Sequence, residues 1–261
     1  MGILFITPGW EIGVAFFVLL IVVIELGYIH GRRGSAENSP GASGTFLGVM
    51  GSVLGLLALL LAFSFSMAAT RYDLRKQLMV KQANAIGTSY LRAGLLNEPA
   101  AKQMRDLLRE YVDDRLAQRD AGNDPEKSEQ TAARTDQLQT KMWDLVAAEA
   151  HNDPHSVSIA QTVQSINDTI DVSSEQAAAY RNHIPPVILW MLLGTALASG
   201  MLVGCAFGRA RERHLTATVV YAAMITVVIL ALFDLDRPLR GMLRISDHAM
   251  LDLRSSMQPD L

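Results

Sequence analysis

Four nearly uncharged runs, each long enough to cross a bilayer, constrain this chain more than any other feature. They fall at about residues 10–28, 45–69, 187–207 and 215–233. A helical span needs about 20 predominantly apolar residues. The runs predict an all-α fold of four transmembrane helices. A helical soluble domain is inserted between the second and third, and the second helix continues into it. By number, 1–69 holds the first membrane pair and 70–184 the water-facing domain. The second membrane pair is 185–234, and 235–261 is an amphipathic C-terminal tail. The bulk average hides this division. Half of the 261 residues are apolar and the mean hydropathy is only +0.20, because the charge is concentrated in the middle. No lysine or arginine precedes the first run, which is too long for a signal-peptide core and is expected to be a retained anchor.

Several function classes lose support at once. The net charge of −3 provides no basic field for nucleic acid. The one cysteine, Cys205, lies inside a span, so neither a disulfide within the chain nor a Cys-rich metal site is expected. No Gly-rich phosphate loop, Ser-His-Asp set or CxxC pair occurs, so neither an enzyme nor a cofactor is expected. His151 and His155 have i, i+4 spacing, but Pro154 lies between them and breaks a common helix face.

The second span is the most patterned. Gly48, Gly51, Gly55, Ala58 and Ala62 recur at spacings of three and four, which gathers them on one helix face. Small faces let helices approach closely in lipid. Gly200, Gly204 and Gly208 make a second ladder of this kind in the third span. Roughly opposite the first small face lie Leu56, Leu60, Phe63 and Met67. Around a shared axis these would form an apolar neck that gates by dewetting. In a single copy they would simply meet lipid. Arg71 and Arg75 follow one turn apart, past the membrane edge. In an oligomer they would ring a pore mouth and attract anions. As single side chains they are interface anchors.

Elsewhere in the spans, Glu25 is costly, on the order of 3 kcal/mol if central, unless it pairs with an arginine or takes a proton. Asp236, at the exit of the fourth span, is expected to cap the turn around Pro238 or to pair with Arg71 or Arg75.

The middle of the chain reads as a bundle of amphipathic helices. Asn97-Glu98-Pro99, Asn123-Asp124-Pro125 and Asn152-Asp153-Pro154 mark three helix starts, with a capping residue ahead of a proline. The apolar faces carry Met104, Leu107, Leu108, Tyr111, Val112 and Leu116, then Leu138, Met142, Leu145 and Val146, then Val163, Ile166 and Ile170. Sidedness stays open. Arg32, Arg33, Arg209, Arg211 and Arg213 would hold the short loops in the cytoplasm. Arg71, Arg75, Lys76 and Lys81, with Arg237, Arg240 and Arg244 in the tail, pull the other way.

Two stretches carry a family resemblance. One runs Ala62-Phe63-Ser64-Phe65-Ser66-Met67-Ala68-Ala69-Thr70-Arg71-Tyr72-Asp73 and continues through Gln82-Ala83-Asn84-Ala85-Ile86-Gly87 to Ala93. The other is Leu235-Asp236-Arg237-Pro238-Leu239-Arg240-Gly241 with Ile245-Ser246. Together they resemble a bacterial membrane family labelled bestrophin-like. The resemblance implies a multipass protein of the bacterial inner membrane and a homo-oligomer. More remotely, it implies an anion channel whose second span lines the pore and which passes an inorganic anion such as chloride. Bestrophins follow their second span with a Tyr-acid-Arg-Trp-Trp-type run. Here Tyr72-Asp73 opens that run, but Leu74-Arg75-Lys76 stand in place of the tryptophans. Gln82 stands where family members often carry an acid, so an acidic or metal role at that turn lacks its residue. The alternative reading is a non-conducting, membrane-anchored helical module that senses or binds a partner.

Overall fold

A computed structural model describes residues 9–34, 40–120, 125–236 and 245–257. Among these residues the structure is helical, with no strand. The helices are α1 (Gly9–Gly34), α2 (Pro40–Ala93), α3 (Ala100–Asp120), α4 (Pro125–Asn152), α5 (Val157–Arg181), α6 (Pro186–Ala210), α7 (Leu215–Asp236) and α8 (His248–Ser256). Four stretches among the described residues are long and apolar enough to cross a bilayer. They lie within Trp10–Arg33, Gly44–Ala93, Val157–Ala210 and Leu215–Asp236. At 54 residues, α2 is more than twice the length that a span of about 20 residues requires.

The chain divides into two compact units: Met1–Thr70 with His183–Arg237, and Arg71–Asn182 with Pro238–Leu261. The first is organised by glycine. A Cβ at Gly204 or Gly208 would collide with the carbonyl oxygen of Ile24 or Tyr28 on α1. From the other side, a Cβ at Gly27 or Gly31 would collide with the carbonyl oxygen of Met201 or Cys205 on α6. Backbone therefore meets backbone from both sides, the close approach that small residues permit in lipid. Leu20 and Ile24 fill the space beside Gly200 and are fully buried.

Polar pairs fix the ends of these helices. Arg213 donates to Glu25 at 3.0 Å and lies over the Tyr28 ring. Glu25 thus has the arginine partner that its position in a span demands. The buried Asp236 accepts from the backbone N–H of Ile184 at 3.1 Å and fixes the entry to α6. Ile184 is not among the partners expected for Asp236; of those, Pro238 lies outside the described residues, as do Arg237, Arg240 and Arg244.

The second unit buries the stripes anticipated from helical spacing. Met104, Leu108, Tyr111 and Val112 of α3, Leu138, Met142 and Val146 of α4, and Ile166 of α5 form one core with Met79 and Ile86 of α2. Val163, Ile170, Leu107, Leu116 and Leu145 pack on its edge. Of the three expected helix starts, the one at Pro125 is met by α4, which begins there. α3 begins directly after Pro99, but α5 begins at Val157 rather than after Pro154. Its cap is Ser156, whose hydroxyl accepts from Ile159 N. Residues 153–155 form the turn out of α4 instead of the first turn of α5. Asn123 and Asp124 lie outside the described residues. α8 is held by Arg254, which binds both carboxylate oxygens of Asp113, and that pairing pushes the arginine pKa above its ordinary value. Arg109 donates to the Met257 carbonyl at 2.7 Å and to the Tyr90 hydroxyl at 2.5 Å.

Candidate functional site

The membrane part of α2 has three faces rather than two. Leu57, Ser64 and Ala68 are buried and form the face turned into its own unit. The small-residue face and the Leu56–Met67 stripe occupy the rest of the circumference. With about 100° per residue they stand roughly 120° apart rather than opposite each other. Leu56 and Phe63 are exposed, and Leu60 and Met67 are half-buried. At Gly48, Gly51 and Gly55 an added Cβ would meet nothing within 4 Å. The expected helix packing at these three glycines therefore finds no partner among the described residues, in contrast to Gly200, Gly204 and Gly208. Of the most apolar stretch of each span, 33% of residues are buried in the first, 6% in the second, 33% in the third and 28% in the fourth. The second span is thus the one that a single copy leaves uncovered. Its hydroxyls do not change this, because Ser52 and Thr70 donate back to the carbonyls of Gly48 and Ser66.

The two arginines expected to attract anions part company. Arg71 is half-buried, and its Nη1 has no hydrogen-bond partner among the described residues. Arg75 is fully buried, with Nε donating to the Ala179 carbonyl at 3.1 Å and Nη2 to the Asn182 carbonyl at 2.9 Å. These carbonyls close the C-terminus of α5, where a cation satisfies orphan acceptors and complements the helix dipole. Within this chain Arg75 is a helix cap and presents no charge to water.

Arg75 also begins a pattern that sequence reasoning missed. Arg75, Gln82 and Ser89 are spaced by seven on α2, and all three are fully buried. They face a polar stripe of α5. Ser89 donates to the Ser165 carbonyl at 2.8 Å and shares a hydrogen bond with Thr169 at 2.9 Å. Thr162 donates to the Arg92 carbonyl, and Arg92 to that of Gln161. Gln82 and Gln176 both accept from Arg115 of α3, Gln82 at 3.4 Å. A sevenfold spacing of polar residues on a long helix was the available signal, because such residues can fix register inside an interface. In the first span, Gly27 and Gly31 were likewise readable as a GxxxG pair. Among the described residues no group of three or more His, Cys, Asp or Glu could hold a metal ion.

A family model described as Bestrophin-like domain matches residues 13–250. No curated protein and no solved structure matches the chain.

Proposed function

Because the chain belongs to the Bestrophin-like family, we propose that it is an oligomeric anion channel of the bacterial inner membrane, with α2 lining the pore. The observation that supports this most is the bare second span. Two faces of α2 remain uncovered in one copy, and one of them is built from glycine. Lipid packs poorly against a grooved glycine face, and the helix of a second copy packs well there. In the proposed assembly, Gly48, Gly51 and Gly55 meet a neighbouring copy and Leu56, Leu60, Phe63 and Met67 form the apolar neck. Arg71 supplies positive charge beyond it. Arg75 is not part of this mouth, since its donors are engaged at the end of α5. The second unit is the water-facing domain, and the chain works by conduction rather than catalysis.

The test is chloride efflux from liposomes reconstituted with the purified protein. The proposal expects efflux well above that of empty vesicles. Background flux with demonstrated insertion would refute it. The alternative, a non-conducting module that binds a partner, draws on the amphipathic helices of the second unit. It expects a monomer or dimer with no central pore.

A further inference from the structure

The second unit contains a cavity of about 230 Å³ whose wall includes Arg115, Gln82 and Gln176. Cavities of about 150 Å³ hold a benzene-sized molecule, so this one has room for a ring and a substituent. The polar end of the wall is unusual. Arg115 donates to the Oε1 atoms of Gln82, Gln176 and Gln118, all neutral acceptors. Among the described residues no carboxylate forms an ion pair with it. Because the guanidinium takes the oxygens of Gln82 and Gln176, it turns their amide nitrogens away. Both glutamines are fully buried, and neither Nε2 has a hydrogen-bond partner among the described residues. Buried N–H groups without acceptors are destabilising and rare. A cation with neutral partners thus stands on the wall of the cavity, with two unpaired amide donors buried behind it, and this suits an anionic oxygen.

The remaining wall sets the rest of the ligand. Met79, Leu116 and Met250 supply an apolar surface. Arg181 and Asp247 also border the cavity, so with Arg115 the wall carries two positive charges and one negative. That balance fits a single negative charge. We propose that this cavity binds a small organic monocarboxylate. Its carboxylate sits at Arg115, beside Gln82 and Gln176, and its apolar body lies against Met79, Leu116 and Met250. The site belongs to the second unit and stands whether or not the chain conducts ions.

Benzoate is the probe, with benzamide as its uncharged match, tested by saturation-transfer NMR on the full chain in detergent. Benzoate is expected to bind, with benzamide at least tenfold weaker. Arg115→Gln should abolish benzoate binding. Gln176→Glu places a fixed carboxylate beside Arg115. It should exclude benzoate and raise the melting temperature, which gives a readout even where Arg115→Gln folds poorly. No binding of benzoate, equal binding of benzoate and benzamide, or undiminished benzoate binding in Gln176→Glu would each overturn the proposal.

Discussion

A methyl group at Gly204 has nowhere to go, because the Ile24 carbonyl of α1 occupies its place. A methyl group at Gly51 meets nothing. Gly204→Ala should therefore destabilise the protein by about 1–3 kcal/mol through overpacking. Gly51→Ala should leave the melting temperature of the isolated chain almost unchanged. Thermal melts of both variants in one detergent check this, and equal melting temperatures would contradict the helix contact described. At Arg75 the expected effect is also on stability. Arg75→Met leaves the Ala179 and Asn182 carbonyls without their cationic donor, a loss of about 2–4 kcal/mol. Arg75→Lys should recover only part of it, because an ammonium cannot reproduce the guanidinium's spread of donors. Chemical denaturation followed by circular dichroism measures both.

At the scale of the element, α2 performs different tasks along its length. Between Leu56 and Met67 it exposes apolar surface, and from Arg75 to Ser89 it buries polar groups against α5. The division between Arg71 and Arg75 yields a prediction. Arg71→Ala should lower the preference for chloride over potassium severalfold in reconstituted vesicles. Arg75→Met should lower the yield of folded protein without a selectivity change of its own. Reversal-potential measurements on both variants decide, and a larger selectivity loss at Arg75 would count against the assignment.

The parts of α2 were not equally legible in sequence. Apolar runs and amphipathic stripes announce themselves because burial in lipid or in a bundle core demands apolar atoms. That demand revealed α1, α6 and α7, the Gly200–Gly208 ladder and the cores of α3, α4 and α5. The seam of Arg75, Gln82 and Ser89 was hidden because such residues ordinarily face water, and only tertiary partners make them cheap to bury. Ser156 displaced the expected cap of α5 for a similarly local reason. Its hydroxyl reaches Ile159 N, whereas residues 153–155 are used to turn the chain.

For the whole molecule, one copy completes neither surface of α2. The glycines of α6 find α1 within the chain, and Gly48, Gly51 and Gly55 of α2 find no neighbour among the described residues. Sequence periodicity distinguishes the faces of a helix but carries no record of which face meets a second copy. This is why Gly48, Gly51, Gly55, Leu56 and Phe63 were recognisable as stripes while their partners were not. In the proposed channel those partners are further copies of the same chain arranged about an axis. Single-particle imaging of the protein in lipid nanodiscs examines this most directly. The expected image is a closed ring with α2 nearest the axis, Phe63 turned toward it, and Gly51 against an adjacent copy. A monomer or dimer with α2 facing lipid, or a ring lined by another helix, would contradict it.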